Sequence, residues 1–358
     1  MIPIFKPYMP TAIMPELENI LYSGQLAYGK YGKLFESELA KFIGNPYLLT
    51  VNSYNQAMLL ALSILNLKSG DEVIASPVSC LASNQPFVIK GVKVTWADVD
   101  PTTGSLCVHD VKKRINKRTK AIFHNHFCGY LGDIAAINQV AKEHGLWVVD
   151  DCIEAFGSEL NGRKAGNLGA DLTVFSFQTV RLPNTIDGAA ISFGSKELYE
   201  KAIFMRDYGI DRKNFRTSTG EINPNCDISL EGYGATLSEI NSYIGLKQMN
   251  DLSYLLERQR KNALLWDEKI QGISSVKPIN LISNTLPNNW VYGVLCKNKE
   301  QALQDFRNQN WYATGVHINN NIYSVFNNSE NLKGVSEFMT KFLALPCGWW
   351  VDFNGENI

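Results

Sequence analysis

The reading turns on Asp171-Leu-Thr-Val-Phe-Ser-Phe-Gln-Thr-Val-Arg-Leu-Pro-Asn-Thr-Ile-Asp-Gly-Ala-Ala-Ile-Ser-Phe193. Leu172 to Phe175 is an apolar run that ends on a hydroxyl, Ser176. A second run, Ala189 to Phe193, follows an irregular segment holding Gln178, Arg181, Pro183 and Asp187-Gly188. This pattern predicts two buried strands joined by a polar loop. Upstream, the apolar run Leu146 to Val149 leads into Asp150-Asp151. Open α/β sheets bind ligands at strand ends, so Ser176 and Asp151 are expected to face one pocket.

Working outward, Tyr47 to Val51 reads as a strand and Asn55 to Leu67 as a helix. Between them lies Asn52-Ser53-Tyr54-Asn55-Gln56-Ala57. The first turn of a helix offers free N–H groups and a positive dipole end, which can seat a phosphate. Gly70-Asp-Glu-Val-Ile74 opens a further strand, and Val92 to Val99 is another, running into Pro101. Val111 to Ile115 starts a helical segment, Lys120 to Phe123 is a strand, and Ile134 to His144 an amphipathic helix. Strands and helices alternating at short spacing predict an α/β fold with a mostly parallel, doubly wound sheet. Amphipathic patterns at Met14 to Tyr22 and Leu34 to Phe42 precede it.

From about Leu246 the pattern becomes one long amphipathic helix, Gln248 to Ile270. Trp290 to Leu295 then reads as a strand, Glu300 to Gln309 as a helix, and Val316-His317 enters an Asn-rich loop, Asn319 to Asn321. The expected division is a large α/β domain, 1–245, and a smaller α+β domain, 246–358.

The 358 residues can bury a large core, and 45% hydrophobic with 19% charged residues suits a globular chain. A net charge of −1 gives no basic footprint for nucleic acid or acidic membranes. No apolar run approaches the ~20 residues of a membrane span, and no signal-peptide pattern opens the chain, so a cytoplasmic location is expected. The seven cysteines include no C-x-x-C pair, which argues against a disulfide framework or a zinc site.

On these motifs the chain resembles the DegT/DnrJ/EryC1/StrS sugar-aminotransferase family of pyridoxal-phosphate fold type I, over essentially its whole length. The matching landmarks are Gly70 to Ile74, Asp98-Val-Asp-Pro101, Asn161 to Gly166, Met205 to Gly209, Gly232 to Glu239 and Leu345-Pro-Cys-Gly-Trp-Trp350. The resemblance implies a nucleotide-linked keto-sugar as substrate, a coenzyme site and a homodimer. In the family the deciding stretch reads Ser-Phe-x-x-x-Lys and then Gly-Asp-Gly-Gly, the Lys forming the Schiff base. Here the Lys position holds Arg181, and the glycine motif has become Ile186-Asp187-Gly188-Ala189.

Residue by residue, the resemblance implies a phosphate turn at Ser53, Tyr54 and Asn55, with Tyr54-Asn55 replacing Gly-Thr. Cys80 falls where an aromatic side chain often stacks on the pyridine ring. Asp151 aligns with the carboxylate that pairs with the pyridinium nitrogen and makes the ring an electron sink. Glu154 replaces a Gln or His near the ring and brings an unexpected negative charge. Ser176 and Gln178 fall beside the coenzyme, and His317, Asn319 and Asn320 on the loop facing the sugar nucleotide. Gly234 stands where relatives carry an Asn reaching the neighbouring subunit's phosphate. His124, His126 and Cys128 admit a metal reading, but the family has a His nearby without metal, and no metal is assigned.

Arg181 governs the chemistry. A Schiff-base lysine must become neutral to attack a carbonyl. Arginine, with a pKa above ~12, stays cationic and can be neither an aldimine nitrogen nor a general base. Three readings follow. The chain binds pyridoxal or pyridoxamine phosphate noncovalently and acts on a keto-sugar, as in a related dehydratase subgroup with His at this position. Or it is a noncatalytic homologue, a partner subunit or sugar-nucleotide binding protein. Or Arg181 is an engineered change in an ordinary aminotransferase.

Overall fold

The computed structural model describes residues 1–353. Its centre is a seven-stranded sheet of β1 (Leu48–Val51), β2 (Glu72–Ala75), β3 (Lys93–Trp96), β4 (Thr119–Asn125), β5 (Trp147–Asp151), β8 (Leu172–Ser176) and β9 (Ala189–Phe193). Two short strands, β6 (Glu159–Leu160) and β7 (Arg163–Lys164), pair with each other off this sheet. The order is β1-β9-β8-β5-β4-β2-β3. Residues of β1, β2, β8 and β9 are buried throughout, as apolar runs covered on both faces must be.

Four neighbouring pairs are parallel, β2 with β3, β2 with β4, β4 with β5 and β5 with β8. Strand β9 runs antiparallel to β8 and to β1. The reason is the connection: β8 and β9 are joined by the irregular loop 177–188, with no crossover helix to reverse the direction. The expected mostly parallel sheet is therefore present, with one reversed strand at the deciding stretch.

The helices are α1 (Met14–Tyr22), α2 (Lys30–Ile43), α3 (Tyr54–Ile64), α4 (Leu81–Ile89), α5 (Val108–Arg114), α6 (Ile134–His144), α7 (Lys196–Met205), α8 (Glu239–Met249), α9 (Leu252–Ile270), α10 (Lys299–Asn308) and α11 (Lys333–Lys341). Local chemistry sets several ends. The Ser53 hydroxyl caps α3 by accepting from the Gln56 amide, and Asp133 caps α6 by accepting from Ala136. Gly145 closes α6 in the left-handed conformation.

The expected single helix Gln248 to Ile270 is two helices, broken at Asn250-Asp251, and position 245 lies within α8. Helix α4 was not legible, because Pro86 sits inside it and cannot donate to the ladder.

A smaller antiparallel sheet of β10 (Val276–Pro278), β12 (Tyr292–Cys296) and β13 (Phe342–Leu345) lies toward the C-terminus. A further strand, β11 (Thr285–Leu286), pairs with β6. This sheet packs with α9 and α10 around the fully buried Trp266, whose indole N–H donates to the Pro346 carbonyl. Among the described residues, no helix is long and apolar enough to cross a membrane.

Candidate functional site

Parallel strands deliver their C-terminal ends to one edge of the sheet, and there β5 ends on Asp151 and β8 on Ser176. The N-terminus of α3 comes to the same edge, so Tyr54 and Asp151 meet across 97 positions of chain. The Tyr54 hydroxyl donates to Oδ1 of Asp151 at 2.6 Å, and the Ile153 amide donates to the same oxygen at 3.1 Å. Oδ2 of Asp151 is buried without a partner. Burial pushes the Asp151 carboxyl up to about 6, against the hydrogen bonds from Ser83 and Tyr54. Tyr54 is itself buried, and burial, with the Asp151 charge beside it, holds its phenol well above the ordinary range.

Arg181 is fixed by the loop after β8. The Arg181 amide donates to the Gln178 carbonyl, and the Phe177 amide to that of Gly188. Its guanidinium lies over the Trp290 ring, 4.3 Å from the centroid, and Nη2 is 3.6 Å from Oε1 of Glu154. Glu154 also accepts from the Cys128 amide at 2.7 Å and pairs with Nε2 of His317 at 2.7 Å. Burial works against the Glu154 charge, but His317 and Arg181 hold its carboxyl below the usual range. The negative charge at position 154 thus has a local cause: it neutralises Arg181. Nε and Nη1 of Arg181 remain buried without partners.

The other expected residues divide. Ser176 is buried and its hydroxyl accepts from the Gln178 amide, while the Gln178 side chain is exposed. The Ser53 hydroxyl is engaged as the α3 cap, and Asn55 is half-buried on the first turn. Cys80 precedes α4, and burial together with the Glu154 charge raises its thiol to about 11. Asn320 is buried: its backbone amide donates to the Pro77 carbonyl, and its side chain donates to Ser79 and the Cys80 carbonyl. Asn319 donates to Asn321 at 2.6 Å. At Gly234 the backbone carbonyl accepts from the Asn52 side chain.

His124, His126 and Asp150 form a buried cluster with ligand-type atoms within 4.8 Å of one another. His126 Nδ1 accepts from the Gly132 amide, so its Nε2 proton goes to Asp150, 3.1 Å away. His124 Nδ1 is 2.9 Å from the other carboxylate oxygen. Burial opposes the Asp150 charge, yet the two imidazoles hold its carboxyl far below the ordinary value. The cluster ties the ends of β4 and β5 together beside Asp151.

Sequence reasoning missed Trp290 and Ser83. Trp290 stacks on Phe5 at 4.4 Å and donates to the Val180 carbonyl, which makes a floor under Arg181. It was legible only as the start of a strand. Ser83 lies on the unread helix α4, with its hydroxyl 3.4 Å from that of Tyr54.

These residues do not fit a pyridoxal ring as they stand. The Asp151 oxygen facing α3 already holds the Tyr54 hydroxyl, and no amine able to become neutral occupies position 181. The cavity that Asp151 lines, with Ser76, Ser79, Ser83 and Asn125 among its walls, measures about 10 Å³. That is room for one water.

A model of the DegT/DnrJ/EryC1/StrS aminotransferase family matches residues 7–357. Among curated relatives, the GDP-perosamine synthase of Vibrio cholerae is 28% identical over 85% of this chain and 80% of its own. The UDP-4-amino-4,6-dideoxy-N-acetyl-beta-L-altrosamine transaminase of Helicobacter pylori is 27% identical over 92% of this chain and 88% of its own. The structure of the sugar aminotransferase CalS13 from Micromonospora echinospora superposes with a TM-score of 0.92 at 26% identity, covering 99% of this chain and 96% of that one. With the fold-type-I sheet, the Asp151 strand end and the match along nearly all of its length, the chain belongs to the DegT/DnrJ/EryC1/StrS aminotransferase family.

Proposed function

We propose that this chain binds a nucleotide-linked sugar without transaminating it, as a noncatalytic partner subunit or sugar-nucleotide binding protein, and that it does so as a cytoplasmic homodimer. The ligand class rests on the relatives, whose names carry GDP- and UDP-linked sugars. The loss of turnover rests on one observation: the side chain at position 181 is a buried guanidinium paired with Glu154. Amino transfer needs an amine that sheds its proton at that point, and a guanidinium cannot. The surrounding residues have changed in the same sense, with Glu154 supplying the countercharge and Tyr54 holding Asp151.

Noncovalent use of pyridoxal or pyridoxamine phosphate, including a dehydratase reaction, would bring a ring N–H to Asp151, where the Tyr54 hydroxyl already donates to Oδ1, and this weighs against it. His317, which pairs with Glu154 beside Arg181, and Asn319, two residues on, are the side chains proposed to meet the sugar.

Calorimetric titration with GDP-, UDP- and dTDP-linked 4-keto-sugars tests the reading, alongside an assay for glutamate-dependent amination. Binding of at least one nucleotide sugar with no amination is the expected result. Amination by the unmodified protein would overturn it, as would failure of every nucleotide sugar to bind.

A further inference from the structure

Resting on the reading above, we infer that Tyr54 is a built-in occupant of the coenzyme slot, closing it independently of Arg181. Three observations carry this. The Tyr54 hydroxyl donates to Asp151 at 2.6 Å, which is the interaction a ring N–H would make with that carboxylate. The phenol projects from the first residue of α3, so its ring spans from the helix N-terminus, where a phosphate would sit, to the strand end where the carboxylate waits. A cavity that Asp151 lines together with Ser76, Ser79, Ser83 and Asn125 measures about 10 Å³.

The occupant is well held. Tyr54 is 6% exposed and belongs to the main apolar core, and its hydroxyl also approaches Ser83. A buried carboxylate with no donor would be costly, so the phenol satisfies in the folded chain an acceptor that a coenzyme would otherwise satisfy. The still unpartnered Oδ2 of Asp151 is buried, and the cavity that Asp151 lines has room for one water. Arg181 and Tyr54 are therefore two separate blocks: one removes the tether, the other fills the room.

The test compares wild type, Arg181→Lys, Tyr54→Gly and the double variant. Each is titrated with pyridoxamine phosphate and with pyridoxal phosphate, then treated with borohydride and weighed intact. Wild type and Arg181→Lys are expected to bind neither form measurably and to give no reduced adduct. Tyr54→Gly is expected to bind pyridoxamine phosphate at least about a hundredfold more tightly, because the competent open state no longer has to be selected from a closed one. The double variant is expected to give a borohydride-fixed adduct at position 181. Tyr54→Phe keeps the ring and should stay closed.

Binding by wild type or by Arg181→Lys as tight as that of Tyr54→Gly would overturn the inference, and so would a folded Tyr54→Gly that binds no better than wild type. Thermal unfolding of each protein identifies any variant that has not folded. Should Tyr54→Gly fail that check, Tyr54→Ser replaces it, and the Arg181→Lys arm alone still has the power to refute. Nucleotide-sugar titration of the same proteins reports on the proposed function separately, since it does not depend on the coenzyme slot.

Discussion

Arg181 and Glu154 face each other at 3.6 Å in a buried site, and each stands where the family resemblance implies a different residue. The two departures are one change. A cation buried at position 181 without a countercharge would carry a large desolvation cost, and Glu154 offsets it while His317 and the Cys128 amide satisfy the rest of the carboxylate.

Breaking this pair should be expensive. Glu154→Ala is expected to destabilise the protein by about 3 to 5 kcal/mol, because it leaves Arg181 buried and uncompensated. Arg181→Met with Glu154→Gln should cost much less than the sum of the two single changes. A double-mutant cycle by urea unfolding measures this, and a coupling energy near zero would contradict the pairing.

Asp151 should make the protein's stability fall as pH rises. Its folded value of about 6 lies above the ordinary 3.8, so the folded state binds the extra proton. The resulting stabilisation is fully present below about pH 4 and is lost as pH rises through about 6. Asp151→Asn should therefore match wild type near pH 4. At pH 7 it should exceed wild type by up to about 3 kcal/mol, two pKa steps at about 1.4 kcal/mol each. Denaturant unfolding across that range checks the sign.

Ile186 holds the turn that glycine occupies in the family motif. Its φ is +69°, a conformation that β-branched side chains rarely adopt, and its side chain is exposed. Ile186→Gly should raise stability by about 1 kcal/mol. An equal or lower melting temperature would show that the turn is unstrained.

Sedimentation equilibrium should give a mass twice the 40.1 kDa of one chain. A monomer at working concentration would remove the basis for a pocket shared between subunits.

Much of this fold was legible because buried strands are short apolar runs and amphipathic helices repeat apolar residues every third or fourth position: strand Ala189–Phe193 and helix Ile134–His144 fall where their patterns place them. The reversal of β9 was not legible, since an apolar run carries no sign of its direction. Helix α4 hid behind Pro86. At the site, residue identity showed that position 181 cannot carry a Schiff base, and it marked Glu154 as anomalous. It could not show that the anomaly and its cause are neighbours, because a contact between positions 154 and 181 depends on how loop 177–188 folds back. The role of Tyr54 was hidden for the same reason: a tyrosine on a phosphate turn looks like a lost anchor until its hydroxyl is seen on Asp151.

The most direct measurement is intact-mass spectrometry of the wild-type protein after incubation with excess pyridoxal phosphate and borohydride, with peptide mapping of the active-site loop. The account predicts an unmodified loop 177–188 and an unmodified pocket, with no internal-aldimine absorbance before reduction. A pyridoxyl adduct on a lysine of the pocket, formed in the folded protein, would contradict it and return the chain to ordinary amino transfer.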